Sequence, residues 1–73
     1  MSAIKSIQLK PGLEFIALCD LMKIAEMTDS GGAAKHLIAE GRVLVDGVVE
    51  TRKRCKIRKG QVIEFQGMKA RLD

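Results

Sequence analysis

The chain contains no tryptophan and no tyrosine, and two phenylalanines, Phe15 and Phe65, are all the aromatics among its 73 residues. Domains that grip unstructured single strands usually stack bases on exposed rings. Both phenylalanines fall in the phase of apolar core positions, so a single strand is a poor candidate ligand. Cysteine occurs twice, at Cys19 and Cys55, each within an apolar pattern, and histidine once, at His36. No C-x-x-C or H-x-x-x-H spacing is present, so no zinc site is expected. No third residue completes a Cys–His nucleophile either. The expectation is therefore no catalytic residue, no metal and no cofactor. No run of 18 apolar residues is available to span a bilayer. The opening "MSAIKSIQLK" lacks the apolar stretch of a signal peptide. A cytoplasmic location with reduced, buried thiols follows as the expectation.

What the chain does have is positive charge, and it is unevenly placed. The formal net charge is +4. Residues 1–34 carry three cations against four acids, whereas residues 35–59 carry eight against three. Within "TRKRCKIRKG", residues 51–60, six cations occupy ten positions with no acid among them. Charge this localised favours a localised anionic partner over general solubility. Mean apolar content of 47% suits a folded chain. At this length one domain spanning 1–73 is expected, with a thin core and few residues to spare for a catalytic cleft.

The order of elements can be read from periodicity. "SIQLKPG" is a short extended entry closed by a Pro11-Gly12 turn. Phe15, Leu18, Cys19 and Met22 recur at i, i+3, i+4, i+7, the stripe of an amphipathic helix, widened by Leu21 and Ile24 and ending near residues 25–27. Asp29 or Ser30 can cap a second helix, with Ala34, Leu37 and Ile38 on its apolar face and Gly41 just past its end. From residue 42 the period becomes two. Asp46-Gly47 lies between valine-rich strands and Gln66-Gly67 between "VIEF" and "MKARL", two hairpin signals. In the second, Met68, Ala70 and Leu72 face inward. The expected fold is α+β, two helices packed on a small, mainly antiparallel sheet.

If residues 51–58 are extended with Cys55 and Ile57 facing the core, alternation gathers Arg52, Arg54, Lys56 and Arg58 on the solvent face. Same-face neighbours would stand about 6.6 Å apart. Each pair would repel by about 0.6 kcal/mol in water. A face made for solubility mixes both signs, so this one reads as a phosphate ladder, with Lys53 and Lys59 weaker contributors in turns. Alternatives are a strand charged to deter edge aggregation, a module docking an acidic protein, and an anionic membrane surface, for which no suitable amphipathic helix exists. Arginine suits bidentate phosphate contact, and a cationic surface suits the backbone and shape of structured RNA, a stem or a junction. At the start of the second helix, Ser30-Gly31-Gly32 leaves an open approach to free N–H groups, with Lys35 one turn on.

The segment "SGGAAKHLIAEGRVLVDG", residues 30–47, resembles the RNA-binding domain named after ribosomal protein S-four, also called the αL motif. The pattern is carried by Ser30, Ala34, Lys35, Gly41, Val43, Val45, Asp46 and Gly47. With the preceding "LEFIALCDLMKI" and the following "VETRKRCKI", the chain looks most like the small stand-alone bacterial members, the YbcJ-like proteins. The resemblance implies non-enzymatic binding of structured RNA, ribosomal or another stem or junction RNA; a monomer is expected, with ribosomal particles as a candidate partner beside structured RNA. The resemblance also implies a surface formed by the second helix and the following strands and loop, which on this chain includes Lys35, Arg42, Arg52, Lys53, Arg54, Lys56 and Arg58; Ser30 and Gly32 join the candidate RNA-binding site from the reading of the helix N-terminus. Two positions depart from the family pattern: Gly31 stands where many members have a basic residue, and His36 where arginine is frequent.

Overall fold

In the computed structural model, which describes residues 4–73, β-strands flank two short helices. The strand β1 (Ile4–Ile7) is followed by the Pro11-Gly12 turn, closed by the Leu13 N–H donating to the Lys10 carbonyl at 3.1 Å. Gly12 sits at φ +89° there, a conformation a side chain would resist. Next come β2 (Ile16–Ala17) and α1 (Leu18–Ile24), then α2 (Gly31–Ala39). The hairpin strands β3 (Leu44–Val45) and β4 (Val48–Val49), the two-residue β5 (Lys56–Ile57), and the hairpin β6 (Val62–Phe65) and β7 (Met68–Leu72) complete the chain.

The main sheet has the order β1-β7-β6-β3-β4, with β1 parallel to β7 and the other pairs antiparallel. A separate ribbon pairs β2 with β5. The fold is thus α+β with a mainly antiparallel sheet, as expected. Both hairpins turn at the expected dipeptides, Asp46-Gly47 (φ +51° and +82°) and Gln66-Gly67 (φ +51° and +79°). Positive φ at both central residues is the turn whose twist matches the flanking strands.

The core is built by Leu18, Leu21, Met22, Ile38, Val43, Ile57, Ile63, Ala70 and Leu72, each fully buried. Cys19 is buried as expected and Cys55 is half-buried. Three expectations for apolar residues fail. Phe15 is exposed because the helix starts three residues later than its periodicity suggests: Ile16 and Ala17 are drawn into pairing with β5. Ile24, at the end of a helix of only two turns, is exposed as well, and so is Met68, beside the turn at the end of the sheet.

Both helices end in the same way. Past α2, Gly41 N–H donates to the Ile38 carbonyl and Arg42 N–H to that of Leu37, with Gly41 at φ +77°. Past α1, Glu26 N–H donates to Lys23 and Met27 N–H to Met22, with Glu26 at φ +61°. Each is the paired closure that satisfies the last free carbonyls.

Candidate nucleic-acid interface

The basic segment departs from the expected ladder. Only Lys56 and Ile57 within it are strand, because their partner β2 is itself two residues long and offers nothing further to pair with. Arg52–Cys55 is a turn, closed by Cys55 N–H donating to the Arg52 carbonyl at 3.1 Å, and Arg58–Gln61 is another of the same length. The alternation holds where it is anchored: Ile57 is buried, Cys55 half-buried, and Arg52, Arg54, Lys56 and Arg58 are all exposed. The four cations do not form one row.

Backbone hydrogen bonds hold this segment in place. Helix α1 begins at Leu18 with no side-chain cap, since Ala17 stands at the capping position. Its first free N–H groups donate to the basic segment instead, Leu18 to the Cys55 carbonyl (2.8 Å) and Cys19 to that of Lys53 (3.2 Å). Four orphan donors open every helix, and here the loop that carries the cations satisfies two of them. On the other side, the Gln61 amide accepts from Arg58 N–H (2.7 Å) and donates to the Asp46 carboxylate (3.1 Å). Asp46 also accepts from Val62 N–H (3.0 Å). The loop is thereby tied to helix α1 and to the first hairpin.

The side chains divide between two concavities. Arg52, Lys56 and Arg58 share a cleft with Val49, Glu50 and Gln61. Arg54 lies in a second, largely apolar groove with Leu13, Phe15, Asp20 and Ile24. Phe15 stands at the boundary, with Lys56 Nζ 5.0 Å and Arg58 Cζ 5.9 Å from its ring centroid. The inference that the chain has no aromatic to offer at its surface is therefore incorrect.

Arg52 is engaged within the chain. The Glu50 carboxylate accepts from its Nε (3.0 Å), its Nη2 (3.0 Å) and its backbone N–H (3.1 Å). This bidentate hold pulls the Glu50 carboxyl from its ordinary value of 4.5 down to about 2. Burial, together with the nearby Glu50 carboxylate, pushes the Cys55 thiol upward, the opposite of a reactive cysteine. Arg42 is also engaged, with Nε 3.3 Å from Glu40, which His36 approaches at 3.6 Å. Lys53, Arg54, Lys56, Arg58 and Lys59 form no ion pair among the described residues, although Lys59, after Arg71 and Ser6, helps to hold the Asp73 carboxyl below its usual value.

At the other end of α2, Ser30 is the N-cap, its Oγ accepting from Ala33 N–H at 3.1 Å. A side chain at Gly31 would meet nothing within 4 Å, and one at Gly32 would meet only Ser30 Oγ at 3.9 Å. The glycines are not demanded by packing, and Lys35 follows half-buried on the same helix. Among the described residues, no hydrogen bond or ion pair links Ser30, Gly32 or Lys35 to the basic loop. Arg42 follows Gly41, where an added Cβ would lie 3.6 Å from Val49 of the cleft.

Periodicity missed Phe15, Glu50 and Gln61. No local signal existed for the first, since Phe15 is set opposite Arg58 only by the long-range pairing of residues 16–17 with 56–57. The acid two residues before Arg52 was the signal for the second.

The S4 domain family model matches residues 7–72. The chain belongs to that family. Among relatives, YbcJ of Escherichia coli (strain K12) is 58% identical over 52 residues, covering 71% of this chain and 74% of that protein. A probable ribosome maturation protein, RlbA of Bacillus subtilis (strain 168), is 37% identical over 54 residues, covering 74% and 76%. The solution structure of E. coli YbcJ, described as containing an αL motif involved in RNA-binding, superposes with a TM-score of 0.73 at 46% identity. That match covers 99% of this chain and 90% of the other. Membership in the S4 family accords with the pattern from Ser30 to Gly47. No described helix is long and apolar enough to cross a membrane.

Proposed function

We propose that this chain binds structured RNA without catalysis, through its basic loop and the adjoining end of α2. The observation that carries the reading is the unpaired run Lys53, Arg54, Lys56 and Arg58 on a loop already fixed by backbone hydrogen bonds to α1 and, through the side chains of Gln61 and Asp46, to the first hairpin. Fixing cations before binding spares the ordering entropy that a flexible basic tail would lose. The relatives add support: a solved αL motif described as involved in RNA-binding, and a protein named for ribosome maturation. Arg54, Lys56 and Arg58 make the principal phosphate contacts, with Lys53 beside them. Arg52 and Arg42 extend the surface once their acids yield, and Ser30, Gly32 and Lys35 form its outlying part. The protein acts as a cytoplasmic monomer on a stem or junction of ribosomal or other RNA, or on ribosomal particles.

The test is a titration at several salt concentrations with a stem-loop RNA, the matching DNA hairpin and a single-stranded RNA. Four to six phosphate contacts give a log–log salt slope of about −3 to −5 by the counterion-release rule. That slope, with the stem-loop preferred, supports the reading. Absence of binding at low salt refutes it and directs attention to an acidic protein.

A further inference from the structure

Phe65 is buried in the core, 6% exposed, whereas Phe15 remains 38% exposed. The placement of Phe15 follows from the ribbon. Ile16 pairs with Ile57 and Ala17 with Lys56. Continued by one residue, this antiparallel register sets Phe15 opposite Arg58, with Lys56 on the diagonal. Strand alternation then puts Phe15, Lys56 and Arg58 on one face of the ribbon and Ile57 on the buried face. The two cations stand 5.0 and 5.9 Å from the ring centroid. The ring also borders the groove that holds Leu13, Ile24 and Arg54, where Leu13 and Ile24 are each 51% exposed. An apolar, planar surface thus lies within about 6 Å of two cations, and Arg54 lines the same groove.

A nucleotide carries the complementary pair of groups, a flat base and an anionic phosphate joined through one sugar. An acidic peptide would answer the cations and leave the ring unused. Resting on the RNA reading above, we propose that Phe15 is a stacking platform for one unpaired RNA base, whose flanking phosphates are held by Lys56 and Arg58. Bases within a continuous stem are already stacked on one another and cannot reach such a ring, whereas a bulged or junction nucleotide can be splayed out onto it. The platform therefore selects RNA in which a helix is interrupted over RNA that is fully paired. A base stacked on an aromatic side chain strengthens binding by about 5- to 150-fold.

The test uses two stem-loop RNAs that differ by one bulged 2-aminopurine in the stem, titrated at one salt concentration. The wild-type protein is expected to prefer the bulged RNA by at least about 5-fold, with a change in 2-aminopurine fluorescence on binding. Phe15→Leu, which keeps an apolar side chain, should lose both the preference and the fluorescence change and keep its affinity for the paired stem. Phe15→Tyr should retain the preference. Equal wild-type affinity for the two RNAs overturns the platform, and so does a preference that survives in Phe15→Leu. Neither result touches the RNA reading, which fails only if the wild type binds neither RNA. Should Phe15→Leu not fold, the wild-type comparison and the fluorescence decide.

Discussion

Two regions of this small molecule carry cations, and they treat them differently. Along the β1–β7 side, Lys5 lies 3.9 Å from Glu26, Lys69 lies 4.0 Å from Glu64, and Arg71 lies 2.8 Å from Asp73. In the loop after β4, Lys53, Arg54, Lys56, Arg58 and Lys59 lack such partners, and only Arg52 is matched, by Glu50. Exposed ion pairs add little stability, a median of about 0–1 kcal/mol, so the contrast is not about holding the fold. It concerns the field each region presents. Interspersed signs on the first side cancel within a Debye length, whereas the loop keeps its potential and concentrates it beside an exposed ring. The fold supports one surface for solvent and another for an anion.

Charge reversal is the sharpest way to break this contrast. Arg54→Glu with Lys56→Glu should weaken binding to a stem-loop RNA by at least about 100-fold, since each charged hydrogen bond contributes about 1.5–3 kcal/mol. Lys69→Glu with Arg71→Glu makes the same change in net charge on the other side and should leave binding within a few-fold. Both are read by titration, with a thermal melt to verify folding. Similar losses in the two double variants would mean that overall charge, not the loop, governs binding. A second change attacks the anchor beneath the loop. Ile57, fully buried between two exposed cations, should cost about 2–5 kcal/mol of stability when truncated to alanine. Urea unfolding measures this. A cost below about 1 kcal/mol would show that the loop is not seated on the core as described.

The regular parts of the molecule were legible in the sequence because a short-range rule governs each. Asp46-Gly47 and Gln66-Gly67 announce their turns through the φ > 0 requirement, and Ser30 and Gly41 bracket α2 through capping. The first helix was harder to read. Its apolar spacing runs back to Phe15, but Ile16 and Ala17 are taken by pairing with residues forty positions away, which local periodicity does not register. Its end was read to within a residue, Ala25 being the C-cap, although Glu26 occupies the left-handed position where glycine is the usual signal. The same long-range pairing limits β5 to two residues and turns the expected ladder into a loop with two turns. At the candidate interface, the cations were identifiable by composition, but their division between two concavities and their contact with Phe15 were not.

A finer probe asks whether the one matched cation in the loop can be released. Glu50→Gln removes the carboxylate that holds Arg52 and leaves a side chain of nearly the same shape. Arg52 then becomes available to a phosphate, and the salt slope should steepen by about 0.9 if one contact is gained. An unchanged slope would mean that Glu50 does not compete with the ligand for Arg52. A weaker slope would mean that the hold on Arg52 and its backbone N–H positions the loop for binding.

The smallest effect concerns protons, and it separates a competing role of Glu50 from a supporting one. Its carboxyl titrates near 2 in the folded chain against an ordinary value of 4.5. As pH falls, the unfolded chain therefore takes up this proton first. The contribution of the Glu50–Arg52 pair to stability is complete above about 4.5, and declines as pH falls toward 2. Carboxyl chemical shifts followed by NMR should place the Glu50 midpoint well below those of the other glutamates. Over the same interval, wild-type stability should fall more than that of Glu50→Gln, which has no proton to take up there. Equal acid sensitivity in the two proteins would show that the pair contributes nothing to the fold. Glu50 would then matter only by occupying Arg52, and the loop would be held by its backbone hydrogen bonds to α1, the Gln61–Asp46 tie and the buried Ile57.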